Sequence, residues 1–113
     1  MAIHLDHVLV PSRNRVASAE FLAQLLGVLW AVSGVGPFSP VYVNDGLTLD
    51  FEETSEPFPK LHFCFRVDQA EFDAILERIT AAGLQYRGSL HGPVDFKVNT
   101  VLTVSYAREA KSP

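Results

Sequence analysis

The chain of 113 residues has one cysteine, Cys64, and with a single thiol it can form no internal disulfide. Cys64 lies in the apolar run Phe63-Cys64-Phe65, so it is expected to be a buried, inert thiol. A basic excess is also missing. Nine Lys and Arg against 13 Asp and Glu leave a net charge of -4, which gives no electrostatic footprint for nucleic acid or an anionic membrane surface. No apolar run reaches membrane-spanning length, and Met1-Ala2-Ile3-His4 lacks the basic and long apolar parts of a secretion signal. The expectation is a cytoplasmic protein without nucleic-acid or membrane partners. A composition 48% hydrophobic and 19% charged suits one globular domain over 1–113, small enough that dimerisation would help it.

What is present is a repeated pattern. Residues 3–10 read as a strand, 11–14 as a loop, and 15–26 as a helix with Phe21, Leu22, Leu25 and Leu26 at helical spacing and Gly27 as its stop. Val28 to Val32 reads as a short strand. The Gly- and Pro-bearing stretch from Ser33 to Pro40 reads as a loop. Two strands, 41–43 and 47–51, flank Asn44-Asp45-Gly46, residue types that tolerate the positive φ angles of tight hairpin turns. Residues 52–59, with acids and two prolines, read as a linker.

The second half begins again with a strand, 60–67, and a helix. Asp68 is an N-cap with Glu71 three residues on, and Phe72, Ile75, Leu76 and Ile79 form one apolar face that closes at Gly83. Leu84 to Leu90 reads as a strand and His91-Gly92-Pro93 as a break. Residues 94–106 then alternate apolar and polar without any Gly or Pro. They predict either one long strand or a hairpin at Asn99-Thr100. On this pattern the second module is one strand short. His7 and His62 stand at matched places in the first strand of each half, so a duplicated module would let them meet at a metal site.

A strand-helix-three-strand module used twice, opened by Leu5-Asp6-His7-Val8 and by Leu61-His62-Phe63-Cys64-Phe65-Arg66-Val67-Asp68, resembles the vicinal oxygen chelate superfamily of glyoxalases, bleomycin resistance proteins and extradiol dioxygenases. The resemblance covers residues 3–98 and a short tail from 101. It implies an α+β fold in which paired βαβββ modules, about 1–55 and 60–113, form a curved mixed sheet around a cavity, with the second module shortened. It also implies a homodimer. The family's metal ligands match His7 on the first strand, His62 on the first strand of the second module and Asp50 on the fourth strand. The last-strand glutamate of the family has no counterpart, because Thr100 or Val101 stands near its place.

Imidazole plus carboxylate suits Zn, Ni, Fe(II) or Mn with coordination positions left for substrate. Such a metal would act as a Lewis acid, stabilising an enolate in lyase-type members or activating dioxygen in others. Asp6 is expected to face away from His7, as neighbours in a strand do, and His4 to be structural or at the surface. Trp30, Phe38, Tyr42, Phe63, Phe65 and Phe96, with His91 at the mouth, are candidate lining for an apolar ligand pocket; Tyr86 and Arg87 would suit a polar group. Three functions follow. One is a divalent-metal-dependent enzyme acting on a small oxygen-bearing organic molecule. Another is a metal-free protein that binds or sequesters a small, drug-like molecule in the same cavity, with no cofactor. The third is a scaffold that only dimerises. Fold alone decides none of them.

Overall fold

The computed structural model describes residues 2–88, 93–98 and 103–108. Strand β1 covers His7–Ser12, helix α1 Arg15–Leu26, β2 Leu29–Trp30, β3 Ser39–Asn44 and β4 Leu47–Glu53. After the linker come β5 (Leu61–Arg66), α2 (Gln69–Ala81) and β6 (Thr103–Arg108). The chain divides into two compact units between Pro59 and Lys60. With one mixed four-stranded sheet, one small second sheet and two helices, the fold is α+β.

The first unit is a βαβββ module with strand order β1-β4-β3-β2. Strand β1 runs parallel to β4, and the other neighbours are antiparallel. Helix α1 is set at both ends by local chemistry. The Asn14 side chain accepts the Ala17 N–H at 3.0 Å, and Gly27 takes a left-handed φ of 73° while its N–H reaches the Ala23 carbonyl. The helix buries Ser18, Ala19, Leu22 and Ala23. The expected inward set was Phe21, Leu22, Leu25 and Leu26. Of these only Leu22 is buried, and Phe21 is exposed. Small side chains at 18, 19 and 23 let the helix backbone lie close to the sheet, where bulkier ones would hold it away. Val10, Val41, Leu49 and Phe51 complete the core from the strands.

Some strand limits differ from the sequence pattern. Strand β1 starts at His7 rather than residue 3 and continues through Pro11, which the sequence places in a loop. A proline is tolerated there because β1 is an edge strand. Strand β3 likewise begins early, at Ser39. The hairpin between β3 and β4 forms at Asp45-Gly46, yet neither residue has a positive φ. The turn is held instead by the Asn44 side-chain oxygen, which accepts the Gly46 N–H at 2.8 Å.

In the second unit Asp68 and Glu71 form the anticipated capping box at the start of α2. Ile75 is the sole buried hydrophobic residue of this unit among those described. Strand β6 pairs antiparallel with β5, from Leu61 opposite Arg108 to Arg66 opposite Thr103. The expected strand at 84–90 is absent over its described part, and 94–98 holds no strand either. Phe96 has a φ of 54°, which breaks any pleat there. Its N–H donates to the Tyr86 carbonyl at 3.1 Å, and the Lys97 N–H turns to the Asp95 carboxylate. The backbone donors of Phe96 and Lys97 thus go to the Tyr86 carbonyl and the Asp95 carboxylate rather than to a strand neighbour. The Asn99-Thr100 hairpin position, the Thr100-Val101 junction and His91 lie outside the described residues.

Candidate functional site

Register sorts the first sheet into two faces. Val8 pairs with Leu49, Val10 with Phe51 and Val41 with Leu49, and this face meets α1. The other face carries His7, Leu9, Thr48, Asp50 and Tyr42, because Leu9 is opposite Asp50, His7 opposite Thr48 and Tyr42 opposite Thr48. Leu29 joins them through its pairing with Tyr42. This second face is open: Leu9 is 46% exposed, Tyr42 42% and Leu29 78%. Asp50 is 8% exposed on the same face, and no described residue hydrogen-bonds its carboxylate.

His7 and Asp50 are thus brought together as diagonal neighbours on adjacent strands. Asp6 does not turn away from His7 as a regular pleat would require. It precedes the first residue of β1, so its side chain is free to swing back, and its carboxylate meets His7 Nδ1 at 2.8 Å. The Asp6 carbonyl accepts the Thr48 N–H at 3.0 Å, which anchors this residue to the start of β4. The His7 imidazole holds its proton above its ordinary 6.5. The hydrogen bond to Asp6 is the chief cause; partial desolvation opposes it, and the negative charges of Asp6 and Asp50 add to it. The sequence places Asp6 within a strand from residue 3, facing away from His7; because β1 begins only at His7, Asp6 turns back onto it instead.

The remaining candidates fall in several places. His62 lies in the second unit, exposed on β5. Cys64 is exposed on the same strand face, contrary to the buried thiol expected, because the apolar run Phe63-Cys64-Phe65 turns only its two phenylalanines to the half-buried face. Phe63 there pairs with Tyr106 and Phe65 with Val104, so neither ring shares the face of His62. The Tyr106 hydroxyl is buried without a hydrogen-bond partner among the described residues. Trp30 stands beside Val41, on the helix side of the first sheet, and Phe38 is half-buried in the loop before β3. Phe96 is 56% exposed and meets Tyr86 edge-on, with ring centroids 5.3 Å apart. His4 is exposed.

For a divalent metal, the first unit offers two donors of the right kind. One is an imidazole already hydrogen-bonded to a carboxylate, and the other is a largely buried carboxylate with no hydrogen bond from the described residues. Among the described residues no group of three or more His, Cys, Asp or Glu side chains is assembled around one point. The first unit alone therefore provides part of a ligand set rather than a complete one. No helix among the described residues is long and apolar enough to cross a membrane.

No protein-family model matches the chain, and no curated protein sequence matches it significantly. Solved structures do. Oxidase ChaP-H2 superposes with a TM-score of 0.83 at 28% identity, over 95% of this chain and 94% of that one. Oxidase ChaP-H1 is 38% identical, with a TM-score of 0.74 over 79% of this chain and 71% of that one. A possible glyoxalase from Bacillus cereus, at 23% identity and a TM-score of 0.53 over 92% of this chain and 97% of that one, has the same fold. On its identity to oxidase ChaP-H1 and its glyoxalase-like fold, the chain belongs to the vicinal oxygen chelate superfamily.

Proposed function

We propose that this protein is a divalent-metal-dependent oxidase that acts on a small oxygen-bearing organic molecule. The observation that carries the reading is the placement of His7 and Asp50 as diagonal neighbours on one open sheet face, with the His7 ring held by Asp6. Identity to oxidase ChaP-H1 supports the oxidative reaction class over the lyase class. His7 and Asp50 are the metal donors of the first module, and His62 is the donor assigned to the second. The metal, taken from Zn, Ni, Fe or Mn, would supply Lewis-acid chemistry toward adjacent oxygens of the substrate, and dioxygen would be the oxidant that takes up the substrate's electrons. Leu9, Leu29 and Tyr42 give the substrate's carbon frame an apolar floor beside the donors. The other lining positions proposed are Phe38, Phe96 and His91. The working unit is a cytoplasmic homodimer in which each chain, 1–113, acts as a single domain.

The test is metal content by mass spectrometry on chelator-treated protein offered Zn, Ni, Mn and Fe in turn. Close to one ion per chain, lost in both His7→Ala and His62→Ala, supports the reading. No ion retained in any case overturns it. The exposed apolar residues Leu9, Leu29 and Tyr42 would then favour the second reading, a metal-free protein that sequesters a small apolar ligand on the same face.

A further inference from the structure

We propose that Asp6 is a positioning residue for His7: it fixes the imidazole with its proton on Nδ1 and presents a bare Nε2 to the open face of the sheet. The inference deepens the metal-binding reading and rests on it for its functional meaning.

The argument begins with the donor inventory. An ionised carboxylate can only accept hydrogen bonds. At 2.8 Å from Asp6 Oδ2, His7 Nδ1 must therefore be the donor, which leaves the lone pair on Nε2 when the ring is neutral. A free histidine has no such constraint on its tautomer. Ligating histidines characteristically hand their other ring N–H to a carboxylate, which sets the ring's orientation and makes the remaining nitrogen a better donor.

Asp6 is suited to this role by its place in the chain. It is 89% exposed and outside β1, so its side chain packs against no core. Its main chain is nonetheless held, through the Thr48 N–H, to the strand that bears Asp50. The same segment of β4 thus positions the group that orients His7 and the carboxylate diagonal to it. Nothing else among the described residues is hydrogen-bonded to the His7 ring.

The experiment is long-range proton–nitrogen NMR of the histidine side chains in metal-free protein, at a pH where His7 is neutral. It compares the wild type with Asp6→Ala and Asp6→Glu, and Co(II) affinity is measured on the same three proteins. The wild type is expected to show His7 almost wholly as the Nδ1–H tautomer. Asp6→Ala should revert to a mixture and bind Co(II) about 10- to 100-fold more weakly. Asp6→Glu, which keeps a carboxylate one methylene further out, should restore part of both. An unchanged tautomer in Asp6→Ala overturns the proposal, as does a loss of Co(II) binding without any tautomer change. If the wild type shows the Nδ1–H tautomer but binds no Co(II), the positioning of His7 stands and the metal-binding reading fails.

Discussion

Leu9 of β1 and Asp50 of β4 face one another across a parallel pair, an apolar side chain 46% exposed beside a carboxylate 8% exposed. The usual placement is reversed. A sheet face that hides an acid and shows a leucine is not organised for stability alone. Asp50→Asn keeps the shape and removes the charge. It is expected to leave the melting temperature unchanged or raised, since the carboxylate lacks a hydrogen bond from the described residues, while metal affinity falls at least tenfold. Calorimetry paired with a metal titration checks both halves. A fall in stability of more than about 1 kcal/mol would show instead that the carboxylate supports the fold.

The raised proton affinity of His7 sets a pH dependence. Its folded pKa lies above the ordinary 6.5, so the charged pair with Asp6 contributes fully below pH 6.5 and its contribution is lost as pH rises through the folded pKa. Metal binding runs the other way, since it requires the neutral ring. Binding should therefore strengthen as pH rises through the folded pKa of His7. In Asp6→Ala the NMR titration of His7 should move down toward 6.5, and the pH at which metal binding sets in should move with it.

Leu22 is 2% exposed where α1 lies on the sheet, between the small residues Ala19 and Ala23. Leu22→Ala leaves a cavity that neighbouring alanines cannot fill, so a loss of about 2 to 5 kcal/mol is expected in urea unfolding. Ala19→Leu should also destabilise, by about 1 to 3 kcal/mol, because it forces the helix away from the strands.

The capping box of α2 offers a local test of the second unit. Asp68→Ala removes the acceptor for the Glu71 N–H and should cost about 1 kcal/mol. Asp68→Ser should recover most of that. Helix content by circular dichroism against denaturant would separate the two variants.

Both helices were legible in the sequence because their signals are local. Asn14 and Gly27 bound α1 and Asp68 starts α2 through hydrogen bonds and φ angles that involve only near neighbours. The βαβββ order of the first module was legible for the same reason, and His7 and Asp50 fall on adjacent strands of it. The inward face of α1 was not legible, since the choice of Ala19 and Ala23 over Phe21 depends on how near the sheet lies. Nor was the exposure of Cys64, which depends on which face of β5 is covered.

The far end of the chain separates the two kinds of information most clearly. Alternation over 94–106 predicts extended structure, because period-two patterning is all that a strand requires of a sequence. Among the described residues the tertiary structure keeps only Thr103–Arg108 as a strand and runs it antiparallel to β5. The left-handed backbone of Phe96, its edge-on contact with Tyr86 and the turn at Asp95 take up the rest of the described segment. The sequence by itself determined the helices, the Gly27 stop, the Asp68 cap and the superfamily pattern, since these depend on residue type and spacing along the chain. Only the tertiary structure decided that Asp6 turns back onto His7, because that contact depends on β1 beginning one residue after Asp6, where the ladder with β4 begins.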